Sequence, residues 1–379
     1  MRKACLVLLF FFCASMLRAQ YKVRFLVTSL PAYHQKMDPL FVAGSFNNWN
    51  PANPKYALNQ DGSGGYAVDI SLPAGRYEYK FTRGGWDKGE SAGSAAGIDN
   101  RVLEVYSDTT VRVTIRDWSD HFPTTPRVST ANRHVTIIDT AFFIPQLNRT
   151  RRIWIYLPEG YATSGKRYPV MYMHDGQNVF DALYGFGGEW GVDEALDTLG
   201  PRVGECIVVG IDHGGDKRLN EYSPYDMAKY GKGEGDRYVD FLVKTLQPFM
   251  NRHYRTSRRA ADTFVAGSSM GGLISLYAIL KYPKKFGGAG VFSPAFWIAP
   301  AIRDAVSKRG KKVKGKIYFY AGTAESESMV PDMLDVFQRL HHVSKARMQT
   351  VIRSGGRHNE PTWQAEFPLF YQWMMKREK

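Results

Sequence analysis

Three residues of this 379-residue chain have the types and the order that nucleophilic acyl transfer requires: Ser269, Glu325 and His358. Ser269 lies in Thr263-Phe-Val-Ala-Gly-Ser-Ser-Met-Gly-Gly-Leu-Ile-Ser-Leu-Tyr277, where a short apolar, β-rich run meets Gly-Ser-Ser-Met-Gly and passes directly into a helical pattern. A strand-to-helix turn this tight lifts the serine Oγ clear of a sheet. It also seats the hydroxyl at a helix N-terminus, whose free N–H groups and dipole favour a developing oxyanion. Gly267 and Gly271 are then the small residues that let backbone and neighbouring elements approach the turn. The backbone N–H of Met270 is the natural first oxyanion donor.

A serine nucleophile needs a base and an orienting carboxylate, in the chain order serine, acid, histidine. Beyond Ser269, histidine occurs only at positions 341, 342 and 358. The first two fall in the helical pattern 329–343. His358 stands in Ser-Gly-Gly-Arg-His-Asn-Glu, just past the final extended run, on a loop able to reach over a sheet edge; it is the expected general base. The acid belongs on the loop after the preceding strand, where Lys316–Ala321 is followed by Gly-Thr-Ala-Glu-Ser-Glu-Ser. Glu325 or Glu327 is therefore the partner, and Glu325 is preferred because it stands closer to the strand end, where backbone position is fixed. The second oxyanion donor is expected in Met171-Tyr-Met-His-Asp-Gly-Gln-Asn178, from the backbone N–H of Gln177, with Asp175 and Gly176 as alternatives. His174 and Asp175 have no further histidine or carboxylate at a ligand spacing, so no metal site is expected.

These groups need a scaffold, and the pattern predicts one. Apolar extended runs at 135–140, 152–157, 169–174, 206–211, 263–266, 289–293, 316–321 and 348–353 alternate, in the later part, with amphipathic helical patterns at 192–199, 235–253, 271–281, 329–342 and 362–376. That alternation predicts an α/β domain over 133–379 with a mostly parallel central sheet covered on both faces. Residues 21–117 break instead into short alternating segments between Gly, Pro, Asn and Asp turns, which predicts a small all-β immunoglobulin-like sandwich. Residues 118–132 have the composition of a linker. Within the sandwich, Gly-Ser-Phe-Asn-Asn-Trp-Asn-Pro (44–51) and Gly-Arg-Tyr-Glu-Tyr-Lys-Phe (75–81) resemble glycogen- and starch-binding carbohydrate modules. The resemblance implies a tryptophan that stacks on a sugar face. Trp49 reads as a ligand ring or a core ring, and Trp86, in a glycine-rich loop, as a sugar or substrate platform.

Composition bounds the rest. A hydrophobic content of 44% with 14% aromatic residues is that of a well-cored globular protein. Met-Arg-Lys, an apolar run from Ala4 to Leu17 and Arg-Ala-Gln read as a secretory signal peptide over 1–20, which predicts export to the periplasm or the medium with no membrane anchor. Its removal takes three cations and no acid, lowering the formal charge from +14 to +11. It also takes Cys5 and Cys13, leaving Cys206 and therefore no internal disulfide. The positive residues are scattered; the clusters at 149–152 and 308–316 read as solvated faces, and no nucleic-acid partner is expected.

One resemblance is more specific. Met-His-Asp-Gly-Gln-Asn-Val-Phe, Gly-Glu-Trp-Gly-Val-Asp-Glu, Val-Val-Gly-Ile-Asp, Glu-Tyr-Ser-Pro, Gly-Ser-Ser-Met-Gly-Gly-Leu-Ile-Ser, Phe-Ser-Pro-Ala-Phe-Trp and the Gly-x-x-Glu and Gly-x-x-His loops are similar to the esterase D-type esterases. That α/β-hydrolase grouping includes feruloyl, acetyl-xylan and enterochelin esterases. The resemblance runs from about residue 132 to the C-terminus. Carried over residue by residue, it implies Ser269 as nucleophile, Glu325 as acid and His358 as base, with no cofactor. Many relatives carry Asp as the acid, which leaves Glu325 against Glu327 open. Together with the module it implies an exported carboxylesterase acting on acyl or feruloyl esters of polysaccharide or oligosaccharide. Siderophore ester hydrolysis, or glycan binding by an inactive relative, are the alternatives. Trp190, Phe292, Phe296, Trp297 and Trp363 are candidate walls for an aryl group, with Trp190 and Trp297 the substrate-binding choices.

Overall fold

The computed structural model describes residues 20–376 apart from positions 48, 63, 96, 124–127 and 186. The expected signal peptide, with Cys5 and Cys13, therefore lies outside the described residues except for Gln20. The chain divides into two units, 1–126 and 127–379.

In the first unit, period-2 alternation builds two facing sheets. One contains β1 (Gln20–Ser29), β3 (Asn59–Gln60), β4 (Tyr66–Pro73) and β8 (Thr109–Thr114) in the order β3-β4-β1-β8. The other contains β2 (Phe41–Gly44), β5 (Gly75–Thr82) and β7 (Arg101–Val105) in the order β2-β5-β7. Val23, Phe25, Val42, Phe81 and Val105 fill the space between. A further pair, β6 (Glu90–Ser91) with β9 (Asp117–Trp118), carries the unit past its expected end. Trp118, expected in the linker, is fully buried among these core residues, because an indole this large gains too much from burial to be left in a solvated strap. At the other end of that linker, Ser129 Oγ donates to Asp181 Oδ2 at 2.7 Å and the Asn132 N–H to Asp193 Oδ2 at 2.9 Å. These residues are tied to the second unit.

The second unit is a single eight-stranded sheet: β10 (Val135–Ile144), β11 (Arg149–Tyr156), β12 (Val170–His174), β13 (Ile207–Ile211), β14 (Thr263–Ser268), β15 (Gly288–Phe292), β16 (Lys316–Gly322) and β17 (Arg347–Arg353), in the order β10-β11-β13-β12-β14-β15-β16-β17. β10 and β11 run antiparallel to their neighbours, and every pairing from β13 to β17 is parallel. β12, β13, β14 and β15 are buried along their whole length, as strands covered on both faces must be. On one face lie α3 (Gly235–Phe241), α4 (Gln247–His253), α5 (Met270–Lys281), α6 (Ile302–Arg309) and α7 (Met329–Val343), with α2 (Arg218–Tyr222) supplying Tyr222. On the other lie α1 (Val192–Val203) and α8 (Glu360–Met375). This is the α/β-hydrolase architecture.

The helical pattern at 235–253 is interrupted by a π turn over Leu242–Leu246. The short helices α2 and α6 escaped the periodicity reading. α6 buries only Ile302, Ala305 and Val306, too few apolar positions to show a period. The cluster at 149–152 is not a solvated face. Arg149 and Arg151 both pair with Glu221, which is fully buried, Arg149 also reaches Glu234, and Arg152 pairs with Asp212 at 2.8 Å. Their partners sit 60 or more residues away in sequence, so local reading saw only unpaired cations. Cys206 is fully buried, and burial pushes its thiol well above the ordinary range.

Candidate active site

β14 ends at Ser268, and α5 begins at Met270. Between them Ser269 adopts φ 59° and ψ −120°, a conformation that costs a non-glycine residue roughly 1–3 kcal/mol. Its N–H donates to the Phe292 carbonyl at 2.9 Å and its own carbonyl accepts from Ala295 at 3.1 Å, so β15 and the loop after it hold the turn. The glycines follow from contact. A Cβ on Gly267 would lie 3.1 Å from the Gly271 backbone and from His174 Cβ, and one on Gly272 would lie 2.7 Å from the Phe292 carbonyl oxygen. α5 is buried from Met270 to Leu280, and Met270, as its first residue, has an N–H without an intrahelical acceptor.

Glu325 and His358 come from adjacent strand ends. Glu325 Oε2 lies 2.7 Å from His358 Nδ1. The carboxylate side chain is 1% exposed and the imidazole 38%. Glu325 Oε1 accepts from the Gly322 N–H at 2.6 Å and from Ser293 Oγ at 2.7 Å, and Ser293 accepts from Trp363 Nε1 at 2.9 Å. The acid is thus held at both oxygens. Ser293, at φ 43°, and Trp363 are parts of this arrangement that sequence reasoning missed, since the pattern around Trp363 predicts only a pocket wall. The Trp363 ring also meets His358 edge to face, with centroids 5.1 Å apart. Glu327 is exposed.

Backbone bonds lock the two loops together. Thr323 N–H donates to the Arg353 carbonyl and Ala324 N–H to the Gly356 carbonyl, each at 3.0 Å. A Cβ on Gly322 would sit 2.1 Å from the Gly356 oxygen, so no other residue fits there. With Nδ1 facing Glu325, His358 Nε2 is the ring nitrogen that the carboxylate leaves unengaged. Among the described residues no hydrogen bond joins it to Ser269 Oγ; this bond is often looser in ligand-free hydrolases.

The expected oxyanion loop leaves β12 through Asp175, at φ 57°, into a single 3-10 turn over Gly176–Asn178. Gly176 packs on β13, where a Cβ would lie 2.6 Å from Ile211 N. Gln177 Oε1 accepts from His213 N–H at 3.3 Å. Among the described residues, the Gly176 and Gln177 N–H groups have no backbone acceptor. His174 and Asp175 have internal partners: His174 Nδ1 meets Tyr238 Oη at 2.9 Å, and Arg218 grips Asp175 through Nε at 2.7 Å and Nη2 at 2.8 Å. Burial pushes His174 down to about 4. Burial alone raises the Asp175 carboxyl, and the Arg218 guanidinium more than offsets it, leaving the carboxyl below its ordinary value. Sequence reasoning also missed Arg218 and the bond from Asn178 Nδ2 to Glu360 Oε1, 2.9 Å long.

The candidate substrate rings divide. Trp190, expected to contact substrate, is instead a ring of the core cluster, 4% exposed, stacked on Trp363 at 5.7 Å and edge-on to Phe292 at 4.9 Å. Phe292 and Phe296 are fully buried and Trp363 is 4% exposed. Trp297 is 54% exposed, two residues past Ala295, whose N–H holds Ser269. In the first unit Trp86 and Trp49 are both half-buried and form a pair with centroids 6.0 Å apart. Asn47 pegs the turn before Trp49 by accepting from Gly44 N–H at 2.9 Å.

Known proteins share this design. The family model described as "Putative esterase" matches residues 144–371, and the pullulanase X25 domain matches residues 42–121. Protein YbbA of Bacillus subtilis (strain 168) is 25% identical over 246 residues, covering 60% of this chain and 94% of that protein. The endo-1,4-beta-xylanase/feruloyl esterase of Xylanibacter ruminicola is 23% identical over 236 residues, covering 61% of this chain and 30% of that protein. Among solved structures, the enterobactin esterase FES of Shigella flexneri, crystallised in the presence of enterobactin, aligns over 90% of each chain with a TM-score of 0.53 at 17% identity. The match over more than half the chain, on the α/β-hydrolase fold, means that the chain belongs to this esterase family and is a carboxylic ester hydrolase preceded by a carbohydrate-binding-type module.

Proposed function

We propose that the protein is an exported serine carboxylesterase that cleaves acyl or feruloyl esters on polysaccharide or oligosaccharide. The observation that carries the reading is the 2.7 Å pairing of Glu325 with His358, on loops that follow the carboxyl ends of β16 and β17 as the Ser269 turn follows that of β14. In this reading His358 Nε2 takes the proton of Ser269 Oγ as the hydroxyl attacks the ester carbonyl, and Glu325 steadies the imidazolium through Nδ1–H. The carbonyl oxygen gains charge between the N–H groups of Met270 and Gln177. His358 then protonates the leaving alcohol, and a water deprotonated by the same nitrogen releases the acid from the acyl-enzyme.

The substrate class rests on the X25-type module and on the similarity to a xylanase/feruloyl esterase. Export rests on the basic, apolar and small-residue pattern of 1–20; among the described residues no helix is long and apolar enough to cross a membrane. One observation favours a second reading, siderophore ester hydrolysis: the likeness to the enterobactin esterase extends over 90% of this chain, beyond the esterase domain alone. Parallel assays on methyl ferulate, acetylated xylan and a cyclic catecholate siderophore separate the two. The proposal expects kcat/KM to be highest on a plant-cell-wall ester, and preference for the siderophore overturns it.

A further inference from the structure

We propose that Asn178 and Glu360 form a strap that positions the oxyanion loop against the base loop during turnover; the inference rests on the acyl-transfer reading above. The two residues are 182 positions apart and meet side chain to side chain at 2.9 Å. Each stands beside a group the chemistry needs. Asn178 follows Gln177 in the 3-10 turn, and Glu360 opens α8 two residues past His358.

The attachment points explain why a strap is required. The turn is fixed from below by Gly176 on β13 and from one side by the His213 N–H on Gln177. Asn178 Nδ2 ties it to the segment that carries His358. Glu360 is a fixed attachment because its backbone is pinned: Asn359 caps α8 by accepting from Thr362 N–H at 3.2 Å and from Thr362 Oγ1 at 2.7 Å. Gly187 closes the far side, where a Cβ would lie 2.8 Å from Glu360 Oε2. Asn178 Oδ1 is buried with no partner, a penalty that a residue kept only to fill space would not carry. Donors for a transient oxyanion must be placed before charge develops, and slack of a fraction of an ångström between oxyanion loop and base is enough to slow the reaction.

The alternative is that Glu360 merely favours the N-terminus of α8 with its negative charge. Glu360→Gln separates the two, since it keeps the acceptor for Asn178 and removes the charge. The experiment measures nitrophenyl-acetate kinetics and melting temperature on the full chain for Asn178→Ala, Asn178→Asp, Glu360→Ala, Glu360→Gln and the double alanine variant, with Ser269→Ala as reference. A strap predicts a kcat loss of about ten- to a hundred-fold in each alanine variant with KM nearly unchanged. The double variant is then no worse than the poorer single one, because the two residues act as one unit. Asn178→Asp, of the same shape, sets a second carboxylate against Glu360 in place of the donor and loses at least as much kcat as the alanine variant, and Glu360→Gln stays close to wild type. Wild-type kcat in Asn178→Ala, additive single effects, or Glu360→Gln falling as far as Glu360→Ala with an equal melting loss overturns the strap alone. Wild-type turnover that survives Ser269→Ala overturns the acyl-transfer reading, and the strap with it.

Discussion

Ser293 stands between Trp363 and Glu325, accepting a hydrogen bond from the indole at 2.9 Å while donating one to the carboxylate at 2.7 Å. The acid is therefore gripped from the β15 side by a residue that is itself held by α8. Removing Ser293 Oγ should loosen Glu325 and strand the buried Trp363 N–H. Ser293→Ala is expected to lower stability by about 1–3 kcal/mol and to slow ester turnover, read by thermal melts and steady-state kinetics. Unchanged kcat would show that the Gly322 N–H alone suffices to place the acid.

Covalent acyl transfer needs one activated hydroxyl. Ser269→Ala should lose at least about three orders of magnitude in kcat while melting as the wild type does. Ser268→Ala should lose far less. A fluorophosphonate probe that labels another serine, or an active Ser269→Ala protein, refutes the nucleophile assignment.

The two loop acids are expected to behave unequally. Glu325→Gln preserves shape but withdraws the charge that steadies the imidazolium, with an expected kcat loss of roughly two to four orders of magnitude. Glu327→Gln, on an exposed side chain, should stay near wild type. The reverse ranking would move the triad acid to Glu327.

His174 makes stability depend on pH. Its ordinary value of 6.5 falls to about 4 in the buried site, so between those limits the unfolded chain binds a proton that the folded chain refuses. Stability from this group is complete above pH 6.5 and is lost as pH falls toward 4, by up to about 3 kcal/mol. Denaturant unfolding across that range should show the slope, and His174→Gln should flatten it. An equal slope in the variant would assign the effect to other groups.

The module is expected to raise local substrate concentration and take no part in the chemistry. Trp86→Ala should weaken pull-down on polysaccharide and leave nitrophenyl-ester kinetics unchanged. A raised KM on the small ester would make Trp86 part of the esterase's own substrate site.

What could be read from sequence was what is local. The strand, sharp turn and helix around Ser269 announce themselves because an apolar run, three glycines and a helical period fall within fifteen residues. Glu325 and His358 stood out because each follows a strand end after a glycine. What escaped reading lies across the fold. Arg149, Arg151 and Arg152 looked like solvated cations because Glu221 and Asp212 approach them only once β11 and β13 are paired. Trp190 and Trp297 are the same residue type in similar loop-like contexts, and only packing against Trp363 and Phe292 tells the buried ring from the exposed one. The first unit reaches past residue 117 for a similar reason, since Trp118 declares its place only through β6.

Cys206 lies at the start of β13 with its sulfur sealed in the core and its thiol held protonated. It is a poor nucleophile while it stays buried. Cys206 is therefore expected to resist maleimides, and once Cys5 and Cys13 are removed with the expected signal peptide a thiol introduced on the surface would be addressable by itself. Lys312, exposed just before β16, belongs to the rim at the amino ends of the parallel strands, whereas Ser269, Glu325 and His358 follow the carboxyl ends. A Lys312→Cys enzyme coupled to a bead through that position would be grafted by its base, with every molecule presenting its reactive edge outward to an insoluble polymer.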